Sequence, residues 1–285
     1  MPWTTLVDTR ALADRLSDPS LVIVDCRFDL ADGAAGQLQY VKEHIPGSVY
    51  ASLDRDLSGD KNGRNGRHPQ PDPAALAVIF GRWGIDDSVQ VVAYDQDTGI
   101  YASRLWWLLR WLGHDAVAVL DGGFARWQAE QRPVRAGVET RTRTERTFTG
   151  APRDGWVVNA DEVGRAIASR EAVLVDARSP ERYRGESETI DRVAGHIPGA
   201  VNHFFKWNLS DAGTFRTPEQ IRERLRASVG DLPPERIICY CGSGVTACQN
   251  LLAFAHAGLG GSRLYVGSWS EWSSDPARPV EPSPP

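Results

Sequence analysis

A chain of 285 residues can hold two domains of about 100 to 150 residues, each with its own core. With 41% hydrophobic and 24% charged residues and ten tryptophans, its composition is that of a folded globular protein and excludes long disordered tracts. The formal net charge of -5, with no basic run in either half, removes the electrostatic footprint that nucleic-acid binding needs.

Met1 to Arg10 has neither a cationic region followed by an apolar one nor a stretch long enough to span a bilayer. No membrane association is therefore expected, and the cytoplasm is the expected compartment. In chain order, Thr9 to Leu16 carries helical periodicity and L-V-I-V-D-C-R, ending at Arg27, reads as a buried strand. The turn H-I-P-G follows at His44 to Gly47. A strand-to-helix run, V-V-A-Y-D-Q-D-T-G-I-Y-A-S-R-L-W-W-L-L, starts at Val91, and L-D-G-G-F-A-R-W ends at Trp127.

The same series then recurs. A-V-L-V-D-A-R ends at Arg178, H-I-P-G returns at His196 to Gly199, I-I-C-Y-C-G-S-G-V-T-A-C-Q-N-L-L-A-F starts at Ile237, and Y-V-G-S-W-S-E-W ends at Trp272. Matching positions lie about 150 residues apart, a whole domain length, so this is a duplicated domain and not a solenoid. Short Val- and Ile-rich runs alternating with helical segments, Asp161 to Ile167 among them, predict an α/β fold with a parallel sheet flanked by helices in each copy. The predicted division is residues 1–132 and 156–285, joined by a polar linker over 133–155; the tail from Pro276 to Pro285, with five prolines, is expected to be irregular.

Four cysteines occur, Cys26, Cys239, Cys241 and Cys248, three of them within ten residues, which is no disulfide framework. A metal site, a redox pair and a nucleophile are the readings that remain. Context separates them. Cys241 follows an apolar strand and opens the loop C-G-S-G-V-T-A, which runs into a helix over Thr246 to His256. Backbone amides and the helix N-terminus can face its sulfur and stabilise an anionic sulfur species without a cationic side chain. In the first copy the equivalents of Cys241 and Ser243 are Asp95 and Asp97, so only the second copy carries a nucleophile.

The loop C-G-S-G-V-T-A, the two H-I-P-G turns and the closing G-S-W-S-E-W resemble the tandem rhodanese family, in particular its mercaptopyruvate sulfurtransferase branch. The resemblance covers nearly the whole chain and implies two tandem rhodanese-like domains. It implies a cysteine thiolate that takes sulfane sulfur from a small-molecule donor, holds it as a persulfide and passes it to cyanide or to a thiol, such as that of a thioredoxin-like protein. No metal or organic cofactor is implied. The nucleophile falls at Cys241, its hydroxyl partner at Ser243, and the loop amides at Gly242, Gly244, Val245 and Thr246. Asp54, ten residues after His44, and His68, in R-H-P, complete a proton relay with Ser243. Arg184, in Y-R-G, and Arg192 are the matching arginines for a donor carboxylate.

Other chemistries fit less well. Cys239 and Cys241 form C-x-C, but no second ligand pair of zinc spacing follows. A phosphatase loop needs C-x5-R, and here the sixth residue after Cys241 is Ala247. Thiosulfate is the alternative donor. Its two negative charges favour basic side chains in the loop, whereas this loop offers amides and hydroxyls, so mercaptopyruvate is preferred. A non-catalytic binding module would lack the nucleophile in both copies. His44 and His196 occur in both copies and read as structural; Cys26, Cys239 and Cys248 read as core residues. The tryptophans read as packing, with Trp269 nearest the site.

Overall fold

The computed structural model describes residues 1–139 and 144–281. The elements run β1 (Leu6–Val7), α1 (Thr9–Ala13), β2 (Leu21–Asp25), α2 (Ala35–Lys42), β3 (Val49–Tyr50), α3 (Pro73–Arg82), β4 (Gln90–Tyr94), α4 (Ile100–Trp111), β5 (Val117–Leu120) and α5 (Gly123–Ala129). The second series is β6 (Val157–Val158), α6 (Ala160–Ser169), β7 (Val173–Asp176), α7 (Pro180–Tyr183), β8 (Val201–Asn202), α8 (Pro218–Val229), β9 (Ile237–Tyr240), α9 (Thr246–His256), β10 (Arg263–Tyr265) and α10 (Ser268–Trp272).

The strand orders are β1-β5-β4-β2-β3 and β6-β10-β9-β7-β8, the same arrangement twice, and every pairing is parallel. A parallel sheet needs cover on both faces, which is why β2 and β4 are buried at every residue rather than at every other one, with Asp25 and Gln90 the polar residues at their ends. The helices start where sequence chemistry sets them. Asp72 caps α3 ahead of Pro73, and Asn159 with Glu162 and Thr217 with Gln220 form capping boxes on α6 and α8.

The repeated Asp-x-Arg is a buried fork. Arg27 donates to the Asp25 carboxylate at 2.6 Å and to the Glu43 carbonyl at 2.6 Å; Arg178 donates to Asp176 at 2.7 Å and to the Gly195 carbonyl at 2.7 Å. Each guanidinium thus ties the end of a central strand to the residue just before H-I-P-G. The histidines are structural in the same way: His44 Nδ1 lies 2.8 Å from the Tyr40 carbonyl and His196 Nδ1 lies 2.8 Å from that of Tyr183. A short antiparallel bridge holds each turn, His44 to Arg135 and His196 to Glu281.

The described part of the predicted linker, although largely irregular, is bound to the first unit. Phe148 is buried against Phe80, the Arg146 amide donates to the Gly81 carbonyl at 2.9 Å, and Arg153 pairs with Asp115 at 2.7 Å. Residues 140–143 of that linker and 282–285 of the tail lie outside the described residues.

By compactness the chain divides into Met1–Gly59, Pro71–Arg153 and Asp211–Thr214 on one side and Asp60–Gln70, Asp154–Ser210 and Phe215–Pro285 on the other. Residues 60–70, although encoded in the first half, therefore belong to the second unit. Among the described residues no helix is long and apolar enough to cross a membrane.

Candidate active site

The second unit builds its site at the C-terminal end of β9, where the strand carries Cys241 into the loop ahead of α9. The Ser243 amide donates to Cys241 Sγ at 3.4 Å. The Cys241 amide donates to Ser268 Oγ at 3.1 Å, and that hydroxyl donates to the Tyr265 carbonyl at 2.8 Å. The Trp269 and Ser270 amides, at the start of α10, donate to the carbonyls of Cys241 and Gly242 at 2.9 Å each. Gly244 takes φ +74°, and a Cβ there would stand 2.4 Å from the Val266 carbonyl oxygen, so only glycine fits the turn. Behind the loop the Cys248 thiol donates to the Gly244 carbonyl at 3.2 Å.

Cys241 and Ser243 are themselves buried, and His68 Nδ1 lies 2.8 Å from Ser243 Oγ. The segment 60–70 delivers His68 because it docks tightly on α10: a Cβ on Gly66 would meet the Gly267 carbonyl at 2.7 Å, and the Arg67 amide donates to Ser270 Oγ at 3.0 Å. Thr246 opens α9, Val245 precedes it, and Trp269 is fully buried with Arg178 over its ring at 4.8 Å. Asp54 lies exposed in the first unit.

The two sequence-assigned arginines both reach the surface. Arg184 caps the end of α7 and pairs with Glu186 at 2.7 Å, its side chain 40% exposed, while Arg192 is exposed beside Asp191. The guanidiniums beside the loop are instead those of Arg67 and Arg182, whose nitrogens would lie 3.0 and 3.5 Å from a Cβ on Gly242. Asp191 and Glu188 hold them: Asp191 bridges Arg67 at 2.7 Å and Arg182 at 3.1 Å, and Glu188 meets Arg182 at 2.9 Å. The sequence offered a signal for both, since Arg182 is two positions before Arg184 and Arg67 immediately precedes His68.

The other cysteines are not equipped in this way. Burial pushes the Cys239 and Cys26 thiols well above the ordinary range, with Cys241 and Cys248 adding to the effect at Cys239 and carboxylates at Cys26. Among the described residues no group of three or more His, Cys, Asp or Glu side chains is arranged to hold a metal ion.

In the first unit the equivalent cradle is filled from within. The Asp95 carboxylate accepts from the amides of Gly99 at 2.9 Å, Tyr101 at 2.8 Å, Asp97 at 3.2 Å and Ala102 at 3.3 Å. The amides of Phe124 and Ala125 hold the loop carbonyls of Asp95 and Gln96 at 2.9 and 2.8 Å, as Trp269 and Ser270 do for their counterparts.

Two α/β units of the same strand order, one with a cysteine and the other with a carboxylate at the same loop position, define a duplicated α/β protein with one thiol-bearing loop. The model of the rhodanese-like domain matches residues 8–130 and 159–275. The chain is 46% identical over 282 residues to a probable 3-mercaptopyruvate sulfurtransferase of Pseudomonas aeruginosa, covering 98% of this chain and 99% of that one. It is 37% identical to a putative thiosulfate sulfurtransferase of Mycobacterium tuberculosis, covering 92% and 91%. The solved 3-mercaptopyruvate sulfurtransferase of Leishmania major superposes with a TM-score of 0.85 at 31% identity, covering 95% of this chain and 74% of that one. The chain belongs to the rhodanese family, and it is a sulfurtransferase.

Proposed function

We propose that this enzyme moves sulfur from 3-mercaptopyruvate to a thiol acceptor, or to cyanide, through a persulfide on Cys241. The observation that carries the reading is the pair of guanidiniums, Arg67 and Arg182, beside Gly242 in the same loop as the thiol. Arg67 Nη2 and Arg182 Nη1 are the nitrogens nearest the loop, and neither makes a hydrogen bond among the described residues, so both can receive a donor carboxylate.

With the carboxylate held there, the Cys241 thiolate attacks the donor sulfur. The S–S bond forms as the carbon–sulfur bond breaks, and the electron pair leaves on carbon as the enolate of pyruvate, which takes up one proton. Ser243 and His68, in hydrogen-bond contact with each other, are the groups placed to move that proton. The family resemblance adds Asp54 to the relay, and Asp54→Asn tests it. In the second half-reaction an acceptor thiolate attacks the outer sulfur and releases the Cys241 thiolate. The loop amides of Gly242, Gly244, Val245 and Thr246 serve the anionic sulfur, together with that of Ser243, which donates to Cys241 Sγ at 3.4 Å. The four cysteines are all free, in keeping with work in the reducing cytoplasm.

Arg184 and Arg192 are the competing carboxylate ligands from sequence, and kinetics separate the pairs. Arg67→Ala and Arg182→Ala are expected to raise KM for mercaptopyruvate by about tenfold or more, and Arg184→Ala to leave it unchanged. Intact-protein mass spectrometry after donor treatment should show one added sulfur on the wild type and none on Cys241→Ser. Added sulfur on the serine variant would overturn the reading. Thiosulfate is the second donor to test, because the same two guanidiniums suit any small anion.

A further inference from the structure

The two arginines beside the loop do not stand as bare positive charge. Arg67, Arg178 and Arg182 face Asp176, Glu188 and Asp191, three guanidiniums against three carboxylates in one connected cluster. Asp176 belongs to Arg178, and Glu188 to Arg178 and Arg182, with its own carboxylate fixed by the Ile190 and Asp191 amides at 3.0 Å each. Asp191 alone joins the two arginines at the loop, one oxygen to each, with its side chain 5% exposed.

A small anion arriving at Gly242 therefore meets one unclaimed nitrogen from each of two guanidiniums but almost no net charge. Two donors side by side suit the two oxygens of a carboxylate, whereas the attraction that would favour a dianion over a monoanion has been cancelled. We infer that Asp191 is a specificity-determining residue: by neutralising and aligning Arg67 and Arg182 it makes the site prefer a monoanionic keto-acid thiol over dianionic thiosulfate. The inference rests on the carboxylate-site reading above.

The test is the ratio of kcat/KM for thiosulfate to that for mercaptopyruvate, measured on one preparation so that any inactive fraction cancels. Asp191→Asn keeps the shape and removes the charge. It should raise the ratio by about tenfold, the effect of one extra unit charge acting on a dianion rather than a monoanion in a partly screened site. Glu188→Gln should move the ratio the same way. The double variant Arg67→Met with Asp191→Asn restores neutrality and should bring the ratio back towards that of the wild type, which a merely structural role for Asp191 would not do.

A ratio within about twofold of wild type for Asp191→Asn would overturn the inference while the Arg67 and Arg182 variants still lose mercaptopyruvate affinity. If Arg67→Met and Arg182→Met each leave both KM values unchanged, the carboxylate-site reading itself fails.

Discussion

Gly244→Ala tests whether loop geometry governs sulfur loading, and Gly258→Ala supplies its control. Both glycines lie in the second unit with nearly equal left-handed backbone, φ +74° and +76°. A side chain in that region costs roughly 1 to 2 kcal/mol, so both variants should lose that much stability. They differ in what the new Cβ meets: nothing within 4 Å at Gly258, but the Val266 carbonyl oxygen at 2.4 Å at Gly244, where ordinary contact begins at 3.4 Å. Relief at Gly244 needs a movement of about 1 Å, and a misplacement of that size in a reacting group costs on the order of 100-fold. The loop that must move carries Cys241 three residues earlier. Rapid-mixing measurement of persulfide formation, with thermal melts alongside, should show Gly244→Ala loading about 100-fold slower than wild type and Gly258→Ala within about threefold of it. Equal loading rates in the two variants would refute the argument.

Ser243→Ala and His68→Gln should lower turnover with mercaptopyruvate by about 100-fold or more and with thiosulfate much less, since only the first donor brings a proton to manage; equal losses in donor-by-donor kinetics would remove the relay. Gly242→Ala should raise KM for mercaptopyruvate, because the new methyl would stand 3.0 Å from an Arg67 nitrogen; an unchanged KM would place the donor elsewhere. In the first unit burial outweighs the hydrogen bonds from amides such as those of Gly99, Tyr101 and Ala102 and pushes the Asp95 carboxyl up to about 6. With the folded value above the ordinary 3.8, its stabilising contribution is complete below pH 3.8 and is lost as pH rises through about 6, worth about 3 kcal/mol. Urea midpoints of wild type should therefore fall relative to those of non-titrating Asp95→Asn between pH 4 and pH 7, and a constant difference would contradict the shift.

Much of the fold was legible because the same signals occur twice. Buried runs such as Leu21–Asp25 cannot be half-exposed strands, and their recurrence at Val173–Asp176 fixed the parallel architecture. The place of Cys241 in a strand-to-helix loop was legible too, and there the Ser243 amide faces its sulfur at 3.4 Å. The nearness of Arg67 and Arg182 to that loop was not. Arg182 and Arg184 are two apart at a one-turn helix, where neighbours of that spacing project to different sides, and sequence alone does not tell which side meets the loop. Arg67 lies in a polar stretch without periodicity, and nothing local shows that residues 60–70 pack with a unit that otherwise starts at Asp154.

That docking changes what counts as a half of this molecule. A gene cut near Asp154 would yield a C-terminal fragment with the thiol, Ser243 and Arg182 but without His68 or Arg67. Such a fragment would keep Cys241 while lacking the segment that meets Ser243 and Ser270. Duplication supplied two modules of one topology, yet eleven residues encoded within the first copy are built into the second. Any attempt to transplant this sulfur-carrying module into another protein must carry the borrowed segment with it.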